Sequence, residues 1–325
     1  MRAGRLAPRA LAISRDGTRV LAGNDDSCVR LFDLERRAEL ATLAGHGAGV
    51  NAVAFSADAA TAVLGYSTGA LCAQRLLRET PGPELTSHGH FVFALRLTPD
   101  GREVVSVALD GVLRVSDLSG GRERFRLRHG YAIFSVDLSA DGRRALTAGG
   151  SELRLWDIER GCELASRLAH PGAVHSFAAI DASGRRAVSG AEDGVLLLWD
   201  LESGEKLAAI PTGSDGISAL AHSRDGRRAL AGYAYGPLRL IDLESRKTLR
   251  TYPAHQGWVR DVRITPDGRR NVSVAQNRTL ALIDLETGAA LPTPLACLPV
   301  AAISVDPAGQ IAVADIRGRI HRLQR

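Results

Sequence analysis

No two cysteines in this sequence are spaced as a Cys-X-X-Cys pair. The four present, Cys28, Cys72, Cys162 and Cys297, stand far apart. That spacing excludes a compact zinc site or a disulfide framework, and two of the four fall in apolar strand positions, where a reduced buried thiol is the ordinary state. Lysine is nearly missing too, occurring only at Lys206 and Lys247, so arginine supplies almost all of the positive charge. The net charge is +5 over 325 residues, and the basic residues are spread evenly along the chain. A nucleic-acid binder concentrates them on one element or face, so the composition argues against that class. No run approaches the ~20 apolar residues of a spanning helix, and the opening "MRAGRLAPRALAIS" lacks the continuous apolar core of a leader. Membrane insertion is not expected, and the cytoplasm is the expected location. Neither a Walker loop nor a kinase signature occurs, and helical periodicity is absent.

What the chain has instead is a recurring phrase. "GVLLLWDLESGEKL" (194–207) is an apolar run ending in Trp-Asp and a polar turn, and related copies read "ELRLWDIERGCEL", "CVRLFDLERRAEL", "PLRLIDLESRKTL" and "TLALIDLETGAAL". A second anchor keeps time between them: Asp16-Gly17, Asp58-Ala59, Asp100-Gly101, Asp141-Gly142, Ser183-Gly184, Asp225-Gly226, Asp267-Gly268 and Ala308-Gly309, each 41 or 42 residues after the last. Asp accepts bonds from the turn backbone and Gly takes positive φ without a Cβ clash, which favours a tight strand reversal. Each period therefore reads as four short antiparallel strands, which is one propeller blade. A lone blade cannot bury both of its faces, so neighbours must stack. A period this constant leaves no room for a second domain, and residues 1–325 are read as a single propeller domain.

The period and the recurring Trp-Asp resemble the WD40 repeat family over essentially all of residues 6–323. The resemblance implies a closed all-β propeller and a structural tetrad: a His before the first strand, a Ser or Thr in the second, an Asp in the next turn and a Trp in the third. Only the fifth repeat carries it complete, as His170, Ser189, Asp193 and Trp199. The third keeps His88, Ser106 and Asp110 with Ser116 in the Trp position. The fourth keeps His129, Thr147 and Trp156, and the seventh has His255 and Ser273 with Asn277 and Ile283. The second retains His46 but ends in Gln74-Arg75. A His–Asp pair bonded to a hydroxyl could be a catalytic triad, but its return at the blade period marks it as a tie between turns and strands.

Seven repeats reach about residue 295, and the remaining "VAAISVDPAGQIAVADIRGRIHRLQR" holds three more alternating runs. Eight four-stranded blades are expected, with residues 3–7 supplying the outer strand of the blade formed by 300–323, since that pairing removes open edges. The alternative is seven blades plus a C-terminal extension.

The family implies that the loops before each inner strand and those between second and third strands share one binding face. The first set contributes Phe91, Phe93, Tyr131, Phe134, His175, Trp258 and Arg260, and the second Asp25, Tyr66, Glu192, Tyr233 and Tyr235. Aromatics are only 5% of the chain, yet many fall here, and large rigid side chains are effective interface anchors. The "DGRR" turns at the other end are interleaved with acidic "DLES", "DIER" and "DLET" turns, a mixed surface unlike a phosphate-tracking groove. The expected function is a non-catalytic protein–protein interaction scaffold with a protein partner, without cofactor, metal or small-molecule substrate. One alternative is a regulatory or sensory module of a signalling or defence assembly, working with a separate kinase, protease or nucleotide hydrolase. The other is an enzyme using the central channel, for which the mostly apolar inner-strand runs offer no ring of convergent ligands.

Overall fold

At the repeated anchor the backbone reverses on a small polar knot. In the computed structural model, which describes residues 8–76, 84–213, 215–292 and 299–323, the Thr98 hydroxyl donates to Asp100 Oδ1 (2.6 Å). Arg102 N donates to the same carboxylate oxygen (3.1 Å), and Glu103 N to Thr98 Oγ1 (3.1 Å). Gly101 takes φ +70° between them, a conformation that a Cβ disfavours. The hydroxyl–carboxylate pair recurs at Ser14–Asp16, Ser56–Asp58, Ser139–Asp141, Ser223–Asp225 and Thr265–Asp267. In the fifth repeat the two residue types have exchanged places. Asp181 Oδ1 accepts the backbone N–H groups of Arg185 and Arg186 (3.1 Å each), and Ser183 Oγ donates to Asp181 Oδ2 (2.6 Å). In the eighth, Asp306 Oδ1 accepts from Ala308 N and Gln310 N (2.9 and 2.7 Å). The knot survives because a carboxylate in the hydroxyl's position can accept the same N–H groups.

These reversals string together eight antiparallel sheets, each with its strands adjacent in chain order. Six have four strands (8–43, 50–87, 92–128, 135–168, 176–211 and 217–252), and two have three among the described residues (259–284 and 300–323). The fold is all-β, an eight-bladed β-propeller, and the described residues contain no helix. Residues 300–323 form a blade of their own, with Ile303 and Ile311 buried, so the seven-blade alternative is set aside. Residues 3–7, expected to complete that blade, lie outside the described residues.

Contacts divide the chain into two units, Met1–Ala132 with Val300–Arg325, and Ile133–Pro299. In the first, the inner strand Pro8–Ile13 packs between the inner strand Val50–Phe55 and the eighth blade's Val300–Val305. Val20, Ala22 and Phe32 share a core with Ala312, Ala314 and Ile320. In the second, the inner strands of the fourth to seventh blades pack one on the next. Second strands such as Arg228–Tyr233 are buried almost throughout, because both of their faces are covered by adjacent blades.

The outer strands share an irregularity. In five of the six four-stranded blades the outer strand carries one extra residue opposite the step into the Trp position of the third strand: Leu40, Arg124, Leu164, Leu207 and Leu249. In the second blade the extra residue, Leu85, falls two places earlier along the third strand, opposite Leu71 and Cys72. Such a bulge bends the strand and breaks its ladder locally.

Candidate functional site

The tetrad of the fifth blade is built from four consecutive pieces of chain. His170 enters just before the inner strand, Ser189 lies in the second strand, Asp193 in the following turn and Trp199 in the third strand. His170 Nδ1 is 2.8 Å from Asp193 Oδ2, and Nε2 is 2.9 Å from Ser189 Oγ. With Nδ1–H donated to the carboxylate, Nε2 is left to accept the serine proton. Trp199 Nε1–H donates to the same Oγ at 3.0 Å. Each polar atom is thus satisfied in a place where His170 and Ser189 have no exposure. A hydroxyl enclosed in this way has no access to a substrate, so the arrangement can fasten strands but not attack a carbonyl.

The eroded repeats keep parts of this network. His88 Nδ1 sits 3.2 Å from both oxygens of Asp110, and Nε2 is 2.8 Å from Ser106 Oγ. Trp156 Nε1 donates to Thr147 Oγ1 at 2.8 Å. In the seventh blade His255 Nε2 meets Ser273 Oγ (2.8 Å), but its Nδ1 partner is Thr279 Oγ1 (2.6 Å). Asn277, expected in the Asp role, stands one step removed and accepts from the Thr279 hydroxyl (2.8 Å). Burial pushes His88 and His255 down to about 4, so both are neutral at pH 7.

A second fastening went unread in the sequence. Four third strands carry an arginine amid apolar residues, and each turns back to a partner near its own blade. Arg30 meets Asp26 (2.9 Å), Arg114 meets Glu123 (2.7 Å), Arg154 meets Glu152 and Glu163 (2.9 and 2.8 Å), and Arg239 donates to the Thr212 carbonyl. Arg114 is only 5% exposed, and the three donors on Glu123, from Arg126, Thr86 and Arg114, outweigh its desolvation and hold its carboxyl down at about 2. The complete-tetrad blade has Leu197 at this position, and the second and seventh blades have Cys72 and Ala281, so the arginine tie belongs to four blades only. The legible signal was a charged residue in an otherwise apolar strand, as in "LRL".

The expected binding loops are treated unit by unit. In the first unit Phe91 and Phe93 lie with ring centroids 6.3 Å apart, Phe93 and Tyr131 are exposed, and Asp25 is paired with Arg9. In the second, the Phe134 and His175 rings meet at 4.5 Å, and His175 Nδ1 is 2.7 Å from Glu192 Oε1. Val174, Tyr235 and Trp258 are exposed at 60%, 76% and 37%, and Arg260 is exposed beside them in sequence. The turn carrying Tyr235 abuts the loop leading to Trp258: a Cβ on Gly236 would lie 2.0 Å from the His255 carbonyl oxygen.

Tyr66 and Tyr233 must be withdrawn from this surface. Both have no exposure, because each is the last residue of a second strand, not part of the turn. Tyr66 packs edge-on to His46 at 5.3 Å, and Tyr233 lies beneath Arg239 at 4.6 Å. Burial pushes both phenols up. Among the described residues Cys28, Cys72 and Cys162 are free thiols.

Comparison with known proteins agrees with this geometry. The WD40 model (WD domain, G-beta repeat) matches residues 7–33, 37–69, 80–117, 161–200 and 246–284, more than half of the chain. Relatives include telomerase protein component 1 of Rattus norvegicus, 25% identical over 66% of this chain and 8% of that protein. The U3 small nucleolar RNA-associated protein 15 homolog of Gallus gallus is 25% identical over 55% and 34%. Mitochondrial division protein 1 of Saccharomyces cerevisiae (strain ATCC 204508 / S288c) is 30% identical over 62% and 28%. The chain spans about a third or less of the length of these relatives. The expected cytoplasmic location is contradicted here, since relatives are named for telomerase and a small nucleolar RNA. That expectation rested on a missing signal, and a missing signal specifies no address. With five repeat matches and a complete tetrad in its fifth blade, the chain belongs to the WD40 (WD domain, G-beta repeat) family.

Proposed function

We propose that this chain is a non-catalytic scaffold that holds a protein partner on the loop ends of its blades. The observation that carries the reading is the exposure of Tyr235 and Trp258 on abutting loops of the second unit. Turns of this size need Gly, Asn, Asp or Pro, and they fold without Tyr or Trp. Rigid aromatics held outside the core supply contact area at low ordering cost, and Arg260 nearby adds a planar donor set of the kind enriched in interface centres. The family adds weight, since its members commonly assemble complexes without performing chemistry. By name, two relatives associate with small nucleolar RNA or telomerase, which makes a nuclear or nucleolar ribonucleoprotein assembly the setting to search for the partner.

The test is capture of partners on the intact chain, followed by binding measurements with Tyr235→Ala/Trp258→Ala. Loss of two anchors at about 2 kcal/mol each should weaken binding by about 700-fold if the losses add, and by more than about 30-fold if only one counts in full, while the melting temperature holds. Binding within twofold of the parent protein would refute the assignment.

A further inference from the structure

The other ends of the same unit's strands carry a different surface. The turns of the fifth and sixth blades enclose an open cleft of about 590 Å³, rimmed by Arg185, Arg186, Arg224, Arg227 and Arg246. All five are exposed, and none of their guanidiniums takes part in an ion pair among the described residues. That sets them apart from Arg30, Arg114 and Arg154, whose guanidiniums are neutralised within their own blades. Three acids also line the cleft, Asp181, Asp225 and Glu244, which leaves five positive charges against three negative. Two of those acids are already engaged. Asp181 is buried, with both oxygens taken by Ser183 and the backbone of Arg185 and Arg186. Asp225 Oδ1 accepts from Ser223 Oγ and Arg227 N. The lone pairs of these two acids serve the turns, and of the acidic "DLES" type turns expected to balance the arginines this cleft holds Glu244.

Arg246 reaches the rim from a different turn. It takes φ +59°, in the left-handed region, at the turn position where Gly121, Gly161, Gly204 and Gly288 stand in other blades. Arg37 of the first blade stands at the same position with φ +54°, so two blades keep an arginine where glycine would be unstrained, and only Arg246 reaches this cleft. The floor of the cleft is apolar: Leu198 and Leu243 are buried beneath it, and Leu207 is 36% exposed. No aromatic among the described residues lines it, so a nucleic-acid base has nothing there to stack on.

We propose that this cleft binds an acidic peptide segment in which carboxylates flank a leucine-sized apolar residue. The guanidiniums take the carboxylates in forked hydrogen bonds, and the apolar residue covers Leu207. The site is separate from the loop surface proposed above, and its test does not depend on that surface.

The experiment is fluorescence anisotropy on the full chain with a labelled peptide of sequence Glu-Glu-Leu-Glu-Glu-Leu-Glu-Glu. Binding should fall steeply with salt, and Arg185→Glu/Arg227→Glu should weaken it by about tenfold or more. Arg102→Glu/Arg269→Glu makes the same change in net charge away from the cleft and should leave binding within twofold. Arg246→Gly should weaken binding while raising the melting temperature, a combination that loss of folding cannot produce. Tyr235→Ala/Trp258→Ala should bind the peptide unchanged. No peptide binding, equal loss in the Arg102/Arg269 pair, or tighter binding of a labelled oligouridylate RNA with the same arginine dependence would each overturn the proposal.

Discussion

Trp199→Ala is the sharpest probe of how the blades are held. The Trp199 ring is 6% exposed and shares a core with Leu146, Leu153 and Leu155 of the preceding blade and with Ile180 and Leu201 of its own. Truncation therefore opens a cavity between two blades and removes the indole donor to Ser189 Oγ. Large-to-small changes of this kind cost about 3–5 kcal/mol. An unfolding entropy of about 2.1 cal/mol/K per residue over 325 residues comes to about 0.7 kcal/mol/K, so the melting temperature should drop by about 4–7 °C. Trp199→Phe keeps most of the ring and loses the donor, while Ser189 Oγ still meets His170. That change costs about 1 kcal/mol, or about 1.5 °C on the same conversion. Exposed Glu205 mutated to Ala is the baseline, within about 0.5 kcal/mol of the parent. Calorimetric melting of the three variants should rank Ala well below Phe, and Phe slightly below the baseline. Trp199→Ala melting within 1 °C of Glu205→Ala would refute the packing argument outright.

Two further outcomes follow from the polar interior. His88 and His255 are pushed down to about 4 by burial, against about 6.5 in an unfolded chain. The unfolded state then binds protons that the folded state refuses, so their contribution is whole above pH 6.5 and is lost as pH falls towards 4. Urea midpoints should decline between pH 7 and pH 4.5, and His88→Gln/His255→Gln should flatten that decline; an unchanged slope would contradict it. Glu123→Gln removes the charge facing buried Arg114, leaving Asp110 at 3.6 Å as its other acid. A charged hydrogen bond of this kind contributes about 1.5–3 kcal/mol, which chemical denaturation should resolve, and a shift below 0.5 kcal/mol would rule out the arginine tie.

The blade count was readable because turn chemistry repeats even where strands drift: Asp100-Gly101 and its equivalents declare each reversal locally. The complete tetrad was readable for the same reason, as four residue types at fixed offsets. What escaped depends on which atoms are already occupied. Asp181 looked like an unremarkable strand-end residue, yet it replaces a serine by offering two acceptors to the same backbone. Thr279 was invisible beside Asn277, because the choice between them turns on side-chain reach, not on type. Tyr66 and Tyr233 were placed one residue too far into their turns, and at a strand end one residue decides between core and solvent. The arginines of the 5–6 cleft could not be separated from those of other "DGRR" turns in sequence, because what sets them apart is that five of them line one cleft.

The bulge on each outer strand also decides how these proteins can meet one another. A peripheral strand normally offers a ruler of evenly spaced N–H and C=O groups along which a second chain can lie down and extend the sheet. Here the ruler is miscut in every four-stranded blade, at one shared mark for Leu40, Arg124, Leu164, Leu207 and Leu249 and two places from it for Leu85. An incoming strand that matched the spacing before the mark would be out of step after it. The bulge works against side-by-side templating together with the charges these strands carry, such as Glu39, Arg126 and Lys247, and the loop and turn ends of the blades are left as the places where a guest can be recognised.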